Sequence, residues 1–184
     1  MLDSNKQSTP LQTIEQLVTE LTEEERTDYA QIIKSTAIPA SEFLEHASWS
    51  KESYTRNCLV DCDELELILL CWEPGQVTPI HDHGGEQCWV KVVQGELKET
   101  IFHTCDAGDL NEVRSSVAKN GDVTYMVDFM GCHRLENVHK GRSMSLHLYA
   151  KPIRSCKLFD EELSKFVSKE MVYDTVSELE AAIK

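Results

Sequence analysis

Two histidines separated by a single residue, His81 and His83, constrain this chain more than any other feature. Side chains of a β-strand point alternately to opposite faces, so this spacing places both imidazoles on one side and turns Asp82 to the other. A third histidine, His133, follows in the same region of short apolar runs separated by turn residues. Imidazole nitrogen is a common ligand of transition metals, and the three residues together predict a metal site inside a small β-barrel.

The residues around the pair distinguish it from a chance occurrence. An isolated His-x-His is common, and a histidine in a strand is more often a hydrogen-bonded core residue than a ligand. Here the pair belongs to a longer pattern that resembles the first metal-binding motif of the cupin superfamily, made of Gly75, His81, His83, Cys88 and Gly95. Cys88 stands where most cupins have a glutamate ligand. A looser second motif follows, with Gly121, His133 and Asn137.

The middle of the chain has the period of two that is typical of strands. The predicted strands cover residues 65–72, 87–94, 96–102, 122–127 and 143–149, and each is bounded by glycine, proline or asparagine. Many short strands at close spacing are typical of a sandwich or a jelly-roll barrel. We therefore expect a mostly β protein, a cupin-type jelly-roll β-barrel with N-terminal α-helices.

The two ends of the chain differ from this barrel region. Apolar residues at helical spacing after Pro10 predict a first helix, and Thr22 with Glu25 has the form of a capping box that opens a second helix. A third short helix is expected from Ser41, and a C-terminal helix from near Asp174. The expected organisation is a single domain over residues 1–184, with a helical segment at 1–46, the barrel at 54–150 and an extension at 151–184 packed on the barrel.

The charge of the chain limits its partners. The 184 residues contain 32 acidic and 18 basic side chains, for a formal net charge of -14. Such a balance argues against binding to nucleic acid or to an anionic membrane surface. The polar N-terminus and the lack of a long apolar run predict neither a signal peptide nor a membrane span. Seven cysteines without paired CxxC spacing are typical of a reducing compartment, so we expect a cytoplasmic protein, monomeric, that acts on a small molecule.

The last predicted strand carries a second set of polar residues. Alternation places Ser145, His147 and Tyr149 on one face and Leu146 and Leu148 on the other. One interpretation is the solvent face of an edge strand. The other is a buried polar relay directed at the metal, in which every polar group needs a partner because an unsatisfied one costs about 1–3 kcal/mol.

Several stretches in order across residues 54–150 resemble the cysteine dioxygenase family. They are 54–57, 81–83, Cys88, 94–100, 133–138 and 145–149. The resemblance implies a mononuclear non-haem iron(II) enzyme, with one Fe(II) per chain and O2 as cosubstrate, that oxidises the thiol of L-cysteine to cysteine sulfinic acid. His81, His83 and His133 are then the iron ligands. Three neutral ligands leave the ion its full dipositive charge, which favours an incoming thiolate.

The same resemblance assigns the remaining site residues. Arg56, with Tyr54, is expected to bind the substrate carboxylate through a planar pair of hydrogen bonds. Without the resemblance this arginine is more simply interpreted as a solvated strand end. Tyr149 is expected to donate a hydrogen bond where negative charge develops, oriented by His147 and Ser145. Cys88 is expected to join Tyr149 through a thioether cross-link, with a free thiol lining the pocket as the alternative.

One segment departs from the family pattern. After Tyr149 the chain continues Ala150-Lys151-Pro152, where cysteine dioxygenases usually have a serine-proline pair with a cis peptide bond. A cis bond without proline costs about 2.5–4 kcal/mol, so we expect a trans bond between Ala150 and Lys151.

This departure bears on substrate selectivity and leaves two alternatives to cysteine oxidation. One is a dioxygenase of 3-mercaptopropionate or another small thiol, against which Arg56 argues. The other is a non-catalytic metal-binding cupin, which leaves Arg56, Tyr149 and Cys88 without a joint explanation.

Overall fold

The computed structural model describes residues 10–23, 28–104, 110–177 and 179. Two α-helices lie near the N-terminus, α1 (Ile14–Glu23) and α2 (Tyr29–Ser35), followed by a 3₁₀ helix at Ala40–His46 and a short one at Asp128–Met130. No helix within these ranges has the length and apolar character needed to cross a membrane.

Strands make up most of the regular structure, which confirms the mostly β prediction. They are β1 (Thr55–Asp61), β2 (Glu66–Trp72), β3 (Cys88–Gln94), β4 (Glu96–Thr104), β5 (Leu110–Lys119), β6 (Val123–Met126), β7 (Cys132–Asn137), β8 (Ser143–Tyr149), β9 (Ser155–Asp160), β10 (Lys165–Glu170) and β11 (Thr175–Val176). All five predicted strands are present, and their ends lie within two residues of the predicted positions.

The strands form two facing layers of the jelly-roll type. The larger sheet has the order β11-β1-β2-β8-β3-β6, the smaller sheet has the order β5-β4-β7, and β9 and β10 form a separate hairpin. The described strands thus form separate sheets, without the single closed ring of a complete barrel. The long connections of the jelly roll bring β7 and the loop before β3 to the same end of the molecule, where the histidines lie.

The centre of the larger sheet is buried on both faces. In β2, Leu67 and Leu69 pack with the N-terminal helices, whereas Ile68 and Leu70 face the smaller sheet. Strand β8 alternates in the same way, and its leucines join the helix side. The stripe Ile14, Leu17, Val18 and Leu21 of α1 covers that side as the helical spacing predicts. The other face of β8 is left directed into the interior between the two layers.

The predicted starts of two helices are wrong. Thr22 lies inside α1, and its hydroxyl donates back to Val18 O at 2.9 Å, so it does not cap α2, which begins at Tyr29. Glu25 lies outside the described residues. At the other end, Thr175–Val176 pairs in parallel with β1 and is strand instead of helix. Of the remainder of the predicted C-terminal helix, only Ser177 and residue 179 lie within the described residues.

Candidate metal centre and pocket

The three histidines of the sequence motif meet in space. One nitrogen atom of each of His81, His83 and His133 lies within 4.8 Å of the others. Their convergence is confirmed, although the segment around His81 is not a regular strand. His81 forms isolated bridges to His133 of β7 on one side and to Leu158 of β9 on the other, and His83 lies two residues further on. The segment is therefore extended because it is held between two strands.

The hydrogen bonds of the rings direct their free nitrogens at one point. His81 Nδ1 donates to Pro79 O at 2.9 Å, and His133 Nδ1 contacts Glu99 Oε1 at 2.8 Å. A neutral imidazole with its proton on Nδ1 has a lone pair on Nε2, and these two Nε2 atoms lie only 3.2 Å apart. Both ring nitrogens of His83 are buried without a hydrogen-bond partner. The lone pairs of His81 and His133 face each other, and the His83 ring has no hydrogen-bond partner. A metal cation bound by the three nitrogens would satisfy all of them.

The protonation of the cluster agrees with a metal site. Burial lowers the pKa of His81, and burial together with the neighbouring imidazoles holds the pKa of His83 and His133 well below the usual range. All three rings are then neutral, which is the form that coordinates a metal. It is the one cluster of three or more metal-ligating side chains in the described part of the chain. The three histidines form a metal-binding site.

Glu99 contacts a histidine of this site and was not predicted from the sequence. Antiparallel pairing of β4 with β7 puts Ile101 opposite His133, so the carboxylate of Glu99 reaches His133 Nδ1 from behind. Burial raises the pKa of Glu99, which Arg114 and His81 oppose. A signal was present in the sequence, since Glu99 is an acid at the inward position between the core residues Leu97 and Ile101.

Asp128 fixes the turn that carries His83. Its two carboxylate oxygens accept hydrogen bonds from His83 N at 2.8 Å and from Gly85 N at 2.7 Å. Gly84 between them has φ +61°, and an added Cβ there would lie 2.8 Å from Ser155 O. The turn therefore requires glycine and a carboxylate from a distant 3₁₀ helix. Asp82 is turned away from the rings and accepts from Lys157 N at 2.8 Å.

The polar face of β8 is a buried relay. The alternative of a solvent-exposed edge strand is wrong, because β8 lies between β2 and β3 and all seven of its residues are buried. Trp72 Nε1 donates to Ser145 Oγ at 3.0 Å, which leaves the serine hydroxyl to donate to His147 Nε2 at 2.8 Å. The proton of the neutral His147 ring is then on Nδ1. Tyr149, the next residue on this face, has its ring 6.2 Å from that of His83.

Cys88 and Tyr149 are direct neighbours. They are directly opposed partners in the antiparallel register of β3 and β8. Burial raises the pKa of the Cys88 thiol and holds that of the Tyr149 phenol well above its usual range. Both groups are therefore protonated at neutral pH.

Arg56 is largely shielded from solvent without being fully buried, so its interpretation as a solvated strand end is wrong. Its side chain is 11% exposed, and its Nε donates to Val172 O at 3.2 Å. Its Nη2 atom is buried without a hydrogen-bond partner. Tyr54 stacks on Trp72 with ring centroids 4.8 Å apart and lies beside Arg56 at the start of β1. Burial raises the pKa of Tyr54, whereas Arg56 opposes this shift.

These groups face one pocket between the two layers. Its polar lining includes Tyr54, Arg56, His81, His83, His147 and Tyr149. Apolar walls are contributed by Leu70, Ile153 and Leu158. The described residues contain no cis peptide bond, so the bond between Ala150 and Lys151 is trans as predicted.

Solved structures with a similar fold include an oxalate oxidase, with a TM-score of 0.50 and 20% identity over 63% of this chain and 65% of that one. This likeness supports the jelly-roll architecture alone.

Sequence comparisons are more specific. The family model of cysteine dioxygenase type I matches residues 1–162. Cysteine dioxygenase type 1 of Danio rerio is 34% identical over 72% of this chain and 68% of its own length. The Homo sapiens protein of the same name is 38% identical over 66% of this chain, and the match spans 62% of its length, less than two thirds. The chain belongs to the cysteine dioxygenase type I family.

Proposed function

We propose that this protein is a mononuclear non-haem iron(II) dioxygenase that converts L-cysteine and O2 to cysteine sulfinic acid. One observation carries the proposal: a three-histidine metal site, of which His81 and His83 line the pocket, and a buried Arg56 nitrogen that makes no hydrogen bond lie at the same pocket. L-cysteine has a thiol for the first and a carboxylate for the second. The metal site and the Arg56 nitrogen that lacks a hydrogen bond thus each have a counterpart on this substrate.

Arg56 is proposed to hold the substrate carboxylate. Because Val172 O already accepts from Nε, the two terminal nitrogens are the edge of the guanidinium that remains for a bidentate contact. Tyr54 lies on the same side of the pocket and stays protonated, so its hydroxyl is a second donor to the carboxylate. This local cation explains how a strongly acidic protein accepts an amino acid.

His81, His83 and His133 are proposed to hold the iron. Ferrous iron bound there supplies a Lewis acid for the substrate thiolate and the one-electron chemistry that the reaction with dioxygen requires. In the overall reaction both oxygen atoms are added to sulfur, which provides all four electrons. No organic cosubstrate is required for this balance.

Tyr149 is proposed to donate a hydrogen bond at the position where negative charge develops on oxygen. Its raised pKa keeps the phenol protonated, and the neighbouring thiol of Cys88 restrains it. The chain Trp72–Ser145–His147 fixes the imidazole beside it in one tautomer. The apolar walls of the pocket exclude bulk water, which strengthens each of these polar contacts.

Cys88 and Tyr149 are further proposed to form a thioether during turnover. A bond forms between Cys88 Sγ and a ring carbon of Tyr149 as an S–H and a C–H bond break. Dioxygen takes up the two electrons and two protons. Their register across β3 and β8 supports this proposal, since the side chains of directly opposed residues are in contact.

The test is anaerobic loading with Fe(II), followed by oxygen uptake and sulfinate formation with L-cysteine, 3-mercaptopropionate and cysteamine. Preference for L-cysteine with one dioxygen per sulfinate is the expected result. Arg56→Met should raise KM for L-cysteine by about 10- to 100-fold, the size of a lost hydrogen bond to a charged group, and should leave cysteamine, which has no carboxylate, unaffected. Arg142→Met is the matched control, because Arg142 pairs with Glu73 at an exposed site.

Either of two results would overturn the proposal. Preference for 3-mercaptopropionate would indicate a dioxygenase of a different thiol. Absence of oxygen uptake with every thiol at full iron loading would indicate a binding protein.

A further inference from the structure

Three consecutive residues of the C-terminal segment hold Arg56. Val172 O accepts from its Nε at 3.2 Å, and the Tyr173 ring lies 6.0 Å from its guanidinium carbon. Asp174 bonds to both polar groups of the Arg56 backbone: its Oδ2 accepts from Arg56 N at 2.7 Å, and its N donates to Arg56 O at 2.8 Å. The orientation of Arg56 thus depends on residues more than a hundred positions away.

A buried acid lies next to the same arginine. Glu66 is fully buried, and its Oε1 lies 3.8 Å from Arg56 Nη2. That separation is within the range of an ion pair but beyond that of a hydrogen bond. The Arg56 nitrogen, as noted, makes no hydrogen bond. Glu66 is therefore a competitor for the edge of Arg56 that the substrate carboxylate would use.

Other donors keep Glu66 from closing this gap. Its Oε1 accepts from the Tyr173 hydroxyl, and its Oε2 accepts from Ile153 N at 3.1 Å. The Tyr173 hydroxyl also contacts Asp61, but Asp61 already accepts from both terminal nitrogens of Arg154. The single phenolic proton is thus available to Glu66. The oxygen restrained by Tyr173 is the same one that faces Arg56.

We propose that Tyr173 is a positioning residue whose hydroxyl restrains Glu66 and so keeps Arg56 free to bind the substrate carboxylate. The inference rests on the proposed role of Arg56 and adds a specificity device carried by the C-terminal segment. If the restraint is lost, Glu66 moves the short distance to Arg56 and forms a charge-assisted hydrogen bond. An incoming carboxylate must then displace a buried acid.

Tyr173→Phe tests this directly, because it removes the hydroxyl and keeps the ring beside Arg56. KM for L-cysteine should rise about 10- to 100-fold with little change in kcat, the size expected when a charged hydrogen bond must be displaced. Turnover of cysteamine, which carries no carboxylate, should be unchanged. Tyr125→Phe is the matched control, since Tyr125 donates to the exposed Gln87 side chain outside the pocket.

A double variant distinguishes restraint from a general loss of structure. Glu66→Gln removes the competing charge, so it should bind L-cysteine at least as tightly as the parent protein. In the Tyr173→Phe background, Glu66→Gln should restore KM to near the parent value. An unchanged KM in Tyr173→Phe, or the absence of rescue in the double variant, would overturn the inference.

Binding without turnover separates this inference from the proposed function. Calorimetric titration of the iron-loaded protein without oxygen, using L-cysteine and L-2-aminobutyrate, measures binding without turnover, and L-2-aminobutyrate reports it without a thiol. Weaker binding of both ligands by Tyr173→Phe with rescue by Glu66→Gln supports the inference, even if no thiol is oxidised by the parent protein. Equal binding by all variants of an active dioxygenase refutes the inference and leaves the proposed function intact.

Discussion

Glu99 Oε1 lies 2.8 Å from Nδ1 of His133, and the two side chains are 3% and 1% exposed. A carboxylate behind a ligating histidine fixes the ring and its tautomer and makes the free nitrogen more basic. The pair is formed by the register of β4 and β7, two strands of the smaller sheet, so the metal site depends on the pairing of that sheet. His83 likewise depends on a residue distant in sequence, because the Asp128 carboxylate fixes the turn that carries it.

Glu99→Gln should weaken metal binding while preserving the fold. The glutamine oxygen still accepts from His133 Nδ1, but the negative charge is lost, and outer partners of this kind are worth about 10- to 100-fold in metal affinity. Competition with a chromophoric chelator for Fe(II) measures the change. Glu136→Gln is the control, because Glu136 lies on the outward face of β7. Equal affinities for the two variants would contradict the supporting role of Glu99.

Asp128→Asn should also weaken metal binding, through the turn that carries His83. An asparagine accepts from only one of the two backbone N–H groups that Asp128 now satisfies. We expect a loss in metal affinity of about 10-fold by analogy with other outer partners of metal ligands. Asp160→Asn is a control for loss of a turn carboxylate, since Oδ1 alone accepts both N–H groups in the β9–β10 turn and asparagine keeps that oxygen. A similar loss in both variants would attribute the effect to turns in general.

The sequence predicted the central strands because they follow local periodicity, and it predicted the three histidines because they belong to a spaced motif. Alternation over 143–149 placed Ser145, His147 and Tyr149 on the interior face, where they lie. The supporting residues could not be found in this way, since their partners are set by sheet register. Glu99 contacts a residue 34 positions away, Asp128 one 45 away and Tyr173 one 107 away.

The wrong predictions have a similar cause. Thr22 and Glu25 satisfy the local pattern of a capping box, yet α1 continues through Thr22 because its stripe extends to Leu21 in the core. Thr175 and Val176 become a strand because β1 offers an open edge to pair with. In both places tertiary packing prevails over a weak local preference.

The metal-free protein should lose stability as the pH falls from 7 towards 5.5. Burial lowers the pKa of His81, His83, His133 and His147, so these rings stay neutral in the folded state. In the unfolded chain these histidines take up protons near pH 6.5. Below that pH each one lowers the free energy of unfolding by up to about 1.4 kcal/mol per pH unit. The raised pKa values of Glu66 and Glu99 have the opposite effect on stability as the pH falls. These two carboxyl groups are outnumbered by the four histidines.

Urea unfolding at several pH values measures this slope. His83→Gln should make it shallower, because one buried imidazole is removed. His139→Gln, at an exposed position, should leave it unchanged. A free energy of unfolding that stays constant from pH 7 to 5.5 would contradict the prediction.

Turnover with L-cysteine should produce a species lighter by two hydrogens in the iron-loaded protein. Digestion should then yield a linked pair of peptides that contain Cys88 and Tyr149, detectable by mass spectrometry. Cys88→Ala should abolish the linked species, whereas Cys62→Ala should not, because Cys62 is half-buried between β1 and β2 and packs on the helix side of the larger sheet. Linked peptides in the Cys88→Ala variant would refute the assignment.

Lys91→Met should destabilise the fold without affecting the site. Lys91 is a buried cation on β3 whose ammonium donates to Ile33 O at 3.0 Å and to Thr36 O at 2.6 Å, at the C-terminal end of α2. A cation at this end complements the helix dipole and satisfies carbonyls that have no partner within the helix. Methionine fills the same volume but leaves those carbonyls buried and unpaired, at a cost on the order of 2–3 kcal/mol.

Chemical unfolding of Lys91→Met beside Lys34→Met distinguishes this role from a general effect of charge. Lys34 is an exposed lysine in the last turn of the same helix, and its replacement should change the free energy of unfolding by less than about 0.5 kcal/mol. Metal affinity should be unchanged in both variants, because α2 packs on the face of the larger sheet opposite the pocket. If Lys91→Met were as stable as Lys34→Met, the hydrogen bonds of Lys91 would contribute nothing to stability. The contact between α2 and β3 would then be stabilised by apolar packing alone.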